Sequence, residues 1–282
     1  IFAPGKLRFI LSPFDNVLKL KVFTEATLAN AEKLAKELNG SARELANIKD
    51  YNEGFDVLIT CTSAQEPIIT KDVYSSLLGN DCSKKVIIDS SWLKTLPTRD
   101  IAAGLAEVIK SGFIADASIL EIMKNFEIDR DRDNSNLLNQ LIEKSVSVKA
   151  KVVNTDFKES YEREVLNYGH TLGHAIEIHS KYSLRHGEAV SIGLVFAAQL
   201  AGVKGLLDSE TIAAHEQILN GIGLPTKYPS DSWQHLHPLL ALDKKSRGHQ
   251  LRFVALSGVG KTLRIEDANE SELRTAYERI SS

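Results

Sequence analysis

The sequence has little cysteine and methionine, no excess of basic residues and no long uninterrupted apolar run. Its 282 residues include two cysteines and one methionine. Cys61 lies in an apolar segment, so both thiols are expected to be reduced core residues of a cytoplasmic protein rather than a disulfide framework. The net charge of −3 gives no basic footprint, which argues against nucleic acid and against an anionic membrane surface as partners.

The sequence also shows no signal typical of a membrane span or of a secretory leader. We find no run of about 18 apolar residues, the length that a membrane span needs. The first residues, Ile1-Phe2-Ala3-Pro4, lack a basic region followed by an apolar run, so no secretory signal is expected. What the sequence does have is the composition of a globular protein, 43% apolar and 25% charged. Its length suits one large domain or two smaller ones.

The first 90 residues alternate strand and helix patterns. Strands are predicted at 18–23, 56–61 and 85–89, and helices at 26–38 and 71–78. This alternation predicts parallel βαβ units in a sheet covered on both faces, an α/β Rossmann-like domain lacking part of its first strand. The pattern stops near residue 90, so we place domains at 1–90 and 91–282.

A Rossmann-like unit binds a dinucleotide at a glycine-rich turn that opens its first helix. The candidate turn is Ala3-Pro4-Gly5-Lys6, which makes Gly5 and Lys6 the candidate NAD-binding residues and places Pro13 inside the following helix. Pro4 removes a backbone donor, and Ala3 stands where the first glycine is expected. A βαβ scaffold that binds no nucleotide is therefore the alternative.

Residues 23–38 and 56–70 resemble the NADPH-binding domain of glutamyl-tRNA reductase. The resemblance covers roughly residues 1–89 and implies a dinucleotide-binding fold. It does not extend to that family's catalytic cysteine domain or dimerisation helix. Thr24-Glu25-Ala26 stands where the family has Asn-Arg-Thr, so reduction of glutamyl-tRNA is not expected.

Beyond residue 90 the pattern is mostly helical. Helices are predicted at 101–115, 136–154, 167–180, 187–202, 210–221 and 270–280, with a hairpin formed by 251–256 and 261–265. Residues 129–134, with alternating charge, are predicted to form a solvated loop. The second domain is therefore expected to be mostly α.

Histidines are concentrated in this second domain. All eight lie at or beyond position 170, and four lie between 170 and 186. His170 and His174 are four residues apart, so a helix places both rings on one face, and His186 opens a second, apolar helix. Imidazoles beside a carboxylate favour a metal site with an open position. Packing or surface histidines on an ordinary helix are the alternative.

Charged residues on neighbouring helices add to this pattern. Glu107 and Lys110 lie one turn apart on an apolar helix. Two interpretations stay open: a structural ion pair, or a carboxylate that binds a metal beside a lysine that contacts an anionic substrate. Lys149 lies on a predicted helix rich in valine, at a position from which its basic side chain could reach a cleft. Glu159, Arg163 and Asn167 recur every four residues and form one stripe with His170 and His174 if the helix is continuous. Lys244 and Lys245 are expected in a solvated loop.

Taken together, these motifs resemble the C-terminal domain of 3-dehydroquinate synthase. The motifs are residues 104–110, Glu159 with 163–174, residues 185–190 and residues 243–245. The resemblance implies that Glu107, His170 and His186 bind Zn²⁺ or Co²⁺ and that His174 faces the substrate. It also implies that Lys110, Lys149, Arg163, Asn167, Lys244 and Lys245 hold the substrate, with Glu159 in support.

That family converts 3-deoxy-arabino-heptulosonate 7-phosphate to 3-dehydroquinate and phosphate with transient use of NAD⁺. The resemblance therefore implies a lyase of the shikimate pathway that acts on a phosphorylated sugar acid. Whether the protein forms a homodimer stays open. Because the two halves resemble different families, the chain looks chimeric. Two other functions stay open: an inactive metal-binding scaffold, and a metal-dependent alcohol dehydrogenase similar to glycerol dehydrogenase.

Overall fold

The computed structural model describes residues 7–12, 19–24, 32, 36, 41–44, 57–61, 90–155, 164–246 and 251–282. The chain divides into two compact units, Ile1–Ile87 and Ile88–Ser282. The candidate nucleotide turn with Gly5 and Lys6, the predicted helix at 71–78 and the predicted strand at 85–89 lie outside the described residues. Of the predicted helix at 26–38, Glu32 and Lys36 are described, and both are helical.

The first unit contains a four-stranded sheet among its described residues. Its strands are β1 (Leu7–Ser12), β2 (Lys19–Thr24), β3 (Ser41–Glu44) and β4 (Val57–Cys61), in the order β3-β2-β1-β4. The strands predicted at 18–23 and 56–61 correspond to β2 and β4. β2 and β3 run parallel, with Lys21 opposite Ser41.

β1 corrects the prediction of a purely parallel sheet. It runs antiparallel to both neighbours, with Leu7 opposite Thr24 of β2 and Cys61 of β4. The sequence prediction placed a helix after Gly5, but Leu7, Phe9 and Leu11 alternate with other residues at the spacing of a strand. Only six residues separate β1 from β2, which suffices for a hairpin connection and is too short for a parallel crossover.

The second unit is mostly helical in its described part. Its helices are α1 (Thr98–Ile114), α2 (Ala117–Met123), α3 (Ile128–Asp131), α4 (Ser135–Thr155), α5 (His170–His179), α6 (His186–Val203), α7 (Ser209–Gly221), α8 (Trp233–Ser246) and α9 (Glu270–Arg279). Short 3₁₀ turns occupy Ser90–Thr95, Val165–Asn167 and Ser230–Ser232. The predicted hairpin is confirmed as β5 (Phe253–Gly258) antiparallel to β6 (Lys261–Ile265).

Helix α6 forms the centre of this unit. It packs against α1, α5, α7, α9 and β5, and most of its residues from Gly187 to Ala201 are buried. By length and composition alone it could cross a membrane, but 78% of its apolar window is buried inside the unit. A helix that is apolar on all sides is expected at the middle of a core, which explains its composition.

Three predictions about the second unit are wrong. Residues 129–134 are not a solvated loop throughout, because α3 covers Ile128–Asp131 and Asp131 is only 6% exposed, held by Arg130 and by the Glu127 backbone N–H. Lys244 and Lys245 lie in helix α8 rather than in a loop, although their side chains lie outside the described part. The stripe predicted to include Asn167 and His170 is broken, because α5 begins only at His170.

Candidate metal centre

Three helix segments bring the candidate ligands together. Glu107 lies in the middle of α1, while His170 and His186 are the first residues of α5 and α6. The start of α6 lies directly against α1, because Gly187 has no side chain: a Cβ there would lie 1.9 Å from the Ala103 carbonyl oxygen. Gly169 precedes α5 with φ of 79°, in the left-handed region that favours glycine. This glycine is the N-cap of α5, two residues after the Val165–Asn167 turn.

The donor atoms of these residues face one another. Glu107 Oε1 lies 3.4 Å from His170 Nε2 and 3.8 Å from His186 Nε2. All three donor atoms lie within 4.8 Å of one another. A tetrahedral ion with bonds of about 2.0–2.1 Å holds neighbouring donors about 3.3 Å apart. The observed separations therefore approach those that one Zn²⁺ or Co²⁺ ion requires.

Glu107 Oε1 provides an independent test of the fit. This oxygen is buried and has no hydrogen-bond partner among the described residues. A buried carboxylate oxygen without a partner costs free energy, and native structures contain few such atoms. A divalent cation between Glu107 and the two imidazoles would satisfy it, so the residues present fit a metal ion.

Hydrogen bonds to the far nitrogens set the orientation of both imidazoles. His170 Nδ1 donates to the Tyr168 carbonyl oxygen at 3.1 Å. His186 Nδ1 donates to Glu177 Oε1, also at 3.1 Å. Each Nε2 is then the unprotonated nitrogen and presents its lone pair toward Glu107. This is the arrangement that metal-binding histidines adopt in proteins.

Lys110 holds the other oxygen of the Glu107 carboxylate. Its Nζ donates to Glu107 Oε2 at 2.6 Å and to the Leu166 carbonyl oxygen at 2.8 Å. Burial raises the pKa of Glu107, but the charge and hydrogen bond of Lys110 outweigh it, so the net pKa is lowered and the carboxylate stays ionised. Burial lowers the pKa of Lys110, which is only 4% exposed, and the charge of Lys149 lowers it further.

The two imidazoles differ in their readiness to take up a proton. Burial, followed by the charge of Lys110, lowers the pKa of His170 to about 4. The hydrogen bond that His186 donates to Glu177 raises the pKa of His186. His170 is therefore neutral at pH 7.

The remaining predicted site residues fall into three groups. His174 is exposed and lies beside the centre, with its ring centroid 5.3 Å from that of His170 and 6.1 Å from that of His186. Lys149 is exposed on α4, and Asn167 is half-buried at the end of a 3₁₀ turn. Glu159, Arg163, Gly5 and Lys6 lie outside the described residues, as do the side chains of Lys244 and Lys245.

The sequence prediction missed Glu177. This carboxylate lies on α5, seven residues after His170 and therefore on nearly the same helix face. The seven-residue spacing was the one local signal for Glu177. It did not indicate the contact with His186, because His186 lies on a different helix. A second missed contact supports the start of α6, where Glu188 accepts the Arg185 backbone N–H at 2.7 Å and the Arg99 guanidinium at 2.5 and 2.7 Å.

The fold and these donors define a helical domain with a candidate divalent-cation centre, and comparison with known proteins identifies its family. A family model described as the C-terminal part of 3-dehydroquinate synthase matches residues 104–246, about half of the chain. The chain belongs to the 3-dehydroquinate synthase family. A second family model, described as shikimate/quinate 5-dehydrogenase, matches residues 18–110.

Two curated relatives illustrate the extent of the similarity. The 3-dehydroquinate synthase of Corynebacterium pseudotuberculosis is 48% identical over 198 residues, which are 70% of this chain and 54% of that protein. That of Pseudarthrobacter chlorophenolicus is 50% identical over 198 residues, with the same shares of the two chains. The chain spans about half the length of the curated relatives it matches.

Two solved structures share the fold. A 2-deoxy-scyllo-inosose synthase complexed with carbaglucose-6-phosphate, NAD⁺ and Co²⁺ is 27% identical, with a TM-score of 0.53 over 65% of this chain and 53% of that chain. The 2-epi-5-epi-valiolone synthase of Streptomyces hygroscopicus, with NAD⁺ and Zn²⁺ bound, is 19% identical, with a TM-score of 0.64 over 89% of this chain and 68% of that chain. The second similarity concerns the fold alone.

The comparisons agree with the expectation that the two halves resemble different families. The first 90 residues were predicted to resemble glutamyl-tRNA reductase, whereas the matching description names shikimate/quinate 5-dehydrogenase. The specific resemblance to the reductase stays a prediction.

Proposed function

We propose that this chain is a 3-dehydroquinate synthase-like lyase that converts 3-deoxy-arabino-heptulosonate 7-phosphate to 3-dehydroquinate and phosphate. The observation that carries the proposal is the buried Glu107 Oε1, which lies near the Nε2 atoms of His170 and His186 and has no hydrogen-bond partner among the described residues. Curated relatives of 45–50% identity with that name support this substrate. NAD⁺ and either Zn²⁺ or Co²⁺ are the cofactors of the proposal, as in the neighbours' solved complexes.

Glu107, His170 and His186 would hold the cation, with Lys110 keeping the carboxylate ionised. A bound cation would polarise a secondary alcohol of the substrate, and bound NAD⁺ would accept a hydride from that carbon, which would make the neighbouring C–H acidic enough for phosphate to be eliminated. The NADH formed would then return the hydride before ring closure, so that no net oxidation occurs. This chain's own residues would orient the substrate and move protons around that chemistry.

Basic side chains would bind the substrate, which carries both a carboxylate and a phosphate. We assign this role to Lys110, Lys149, Arg163, Lys244 and Lys245, because ammonium and guanidinium groups form strong hydrogen bonds to such anions. Asn167 would contact hydroxyl groups. Glu159 would hold the basic side chains in place.

His174 is proposed to face the substrate rather than bind the metal. Its ring is exposed beside the two ligand imidazoles. Imidazole is the side chain best suited to moving protons near neutral pH. His174 would take up the proton released from the substrate carbon before phosphate leaves.

Phosphate release is the assay that tests this function. The chain is incubated with the heptulosonate phosphate, with and without NAD⁺, and with and without a chelator. The proposal predicts release that requires NAD⁺ and is abolished by the chelator. The absence of NAD⁺-dependent release from metal-loaded protein would contradict it.

One alternative has an observation in its favour. The match of residues 18–110 to a different family model favours an inactive scaffold that binds metal without turnover. One bound metal equivalent together with no phosphate release would support this scaffold. Membership in the synthase family favours the lyase over the alcohol dehydrogenase alternative.

A further inference from the structure

We infer that Glu177 is a positioning residue that orients His186 toward the metal ion, an inference that rests on the proposed metal site. Glu177 Oε1 accepts a hydrogen bond from His186 Nδ1 at 3.1 Å. The Glu177 side chain is 15% exposed, whereas the His186 side chain is 47% exposed. The carboxylate is thus the better-packed member of the pair and can fix the ring of the more exposed one.

His186 needs such a partner because of its place in the fold. It is the first residue of α6, and its side chain is 47% exposed, so packing alone holds the ring weakly. The hydrogen bond through Nδ1 fixes the tautomer and turns Nε2 toward Glu107 Oε1, 3.8 Å away. His170 obtains the same orientation from the Tyr168 backbone carbonyl. The two candidate imidazoles therefore use different kinds of acceptor.

A second donor set contains Glu177 itself. His174, Glu177 and His186 have donor atoms within 4.8 Å of one another. An ion bound there would leave Glu107 Oε1, which is buried, without a hydrogen-bond partner among the described residues. The geometry therefore favours Glu177 as the residue that orients His186 rather than as a ligand.

Two variants separate these roles. Glu177→Gln keeps an amide oxygen that can accept the hydrogen bond from His186, whereas Glu177→Ala removes the acceptor. The matched control is Glu121→Ala, at a helical glutamate whose side chain is 70% exposed. For each full-length protein, Zn²⁺ affinity is measured by competition with a chelator, and metal geometry by the visible spectrum of the Co²⁺-loaded form.

Loss of a carboxylate that orients a metal-binding histidine typically weakens metal affinity about 10–100-fold. We expect Glu177→Ala to show a loss of this size with one equivalent still bound and an altered Co²⁺ spectrum. Glu177→Gln should lie between Ala and wild type, and Glu121→Ala should match wild type. Wild-type affinity in Glu177→Ala would overturn the inference. So would loss of the bound equivalent in both Glu177→Ala and His174→Ala, because that result makes Glu177 a ligand.

A readout on the metal-free protein separates this inference from the proposed function. Nitrogen NMR of the His186 ring reports which ring nitrogen carries the proton. The inference predicts the Nδ1–H tautomer in wild type and its loss in Glu177→Ala. An unchanged tautomer in that variant would overturn the inference even if wild type binds metal. Failure of wild type to bind metal would instead overturn the proposed function.

Discussion

At the scale of single residues, the candidate metal centre depends on polar groups buried behind it. Tyr168, whose carbonyl oxygen accepts from His170, is fully buried, and its hydroxyl donates to His215 Nε2 at 2.8 Å. His215 Nδ1 donates in turn to the Thr211 carbonyl oxygen at 2.7 Å. The ring of His215 stacks on Phe113 with centroids 3.5 Å apart. These contacts hold the neutral form of His215 and fix the backbone that leads into His170.

The buried His215 predicts a specific pH dependence of stability. Burial lowers its pKa from 6.5 to about 4. The unfolded chain therefore binds a proton in a pH range where the folded protein does not. The stabilisation associated with His215 is complete above pH 6.5, declines as the pH falls toward about 4, and stays constant below that. The stabilisation lost between pH 6.5 and about 4 is on the order of 3 kcal/mol.

His215→Phe provides the comparison, because it keeps a ring against Phe113 and removes the titrating group. The free energy of unfolding is measured by urea denaturation at about pH 7.5 and about pH 5. Wild type should lose more stability on acidification than the variant. The lost hydrogen bond to Tyr168 should lower the stability of the variant at both pH values. Equal losses on acidification in the two proteins would show that His215 is not held neutral.

Residue patterns revealed only part of the candidate site. Spacing alone linked His170 with His174, and the resemblance to a known family added Glu107 and His186 to the ligand set. Glu177 was missed because its partner lies on another helix, and a contact of that kind depends on how α5 and α6 pack. The burial of Glu107 Oε1 likewise depends on tertiary structure and has no signature in the local sequence.

At the scale of elements, close packing between α1 and α6 positions the ligands. A Cβ at Gly187 would lie 1.9 Å from the Ala103 carbonyl oxygen and 2.6 Å from its carbonyl carbon. Both are backbone atoms, so neither can move unless α1 shifts. Because α1 carries Glu107 and α6 carries His186, such a shift would also change the separation of the two candidate ligands.

Gly187→Ala should therefore lower both stability and metal affinity. Forcing an extra methyl group into a packed contact typically costs about 1–3 kcal/mol. Gly104→Ala on α1 is the matched control, since a Cβ there meets nothing within 4 Å. Alanine favours the helix over glycine by up to about 1 kcal/mol, so this control should be neutral or stabilising. Urea denaturation and Zn²⁺ competition measure the two effects. Wild-type stability and Zn²⁺ affinity in Gly187→Ala would contradict the close contact between α1 and α6.

Helices with long apolar segments were predicted well. The helices predicted at 101–115, 187–202 and 210–221 correspond to α1, α6 and α7 with bounds that differ by a few residues. The break before α5 was not predicted, because a glycine with positive φ leaves no mark on the apolar pattern. Helix α8 was missed because it contains Pro238, which is unfavourable inside a helix. β1 was missed because its segment was assigned to a helix after the candidate nucleotide turn.

At the scale of the whole molecule, the chain combines two units with different relatives. The family model of the synthase covers residues 104–246, whereas that of the dehydrogenase covers residues 18–110. The candidate metal centre lies entirely within the second unit, because Glu107, His170 and His186 all belong to Ile88–Ser282. Metal binding at these residues would therefore depend on the second unit's fold, while the proposed turnover would also require a bound dinucleotide. The two properties can be measured separately.

Whether Glu107, His170 and His186 bind one divalent cation is decided by the zinc content of the His186→Ala variant. Purified wild type, His186→Ala and His235→Ala, an exposed histidine on α8, are equilibrated with Zn²⁺ and dialysed, and the bound metal is measured by mass spectrometry. We expect one equivalent of zinc in wild type and in His235→Ala, and no stoichiometric zinc in His186→Ala. A full equivalent retained by His186→Ala would contradict it.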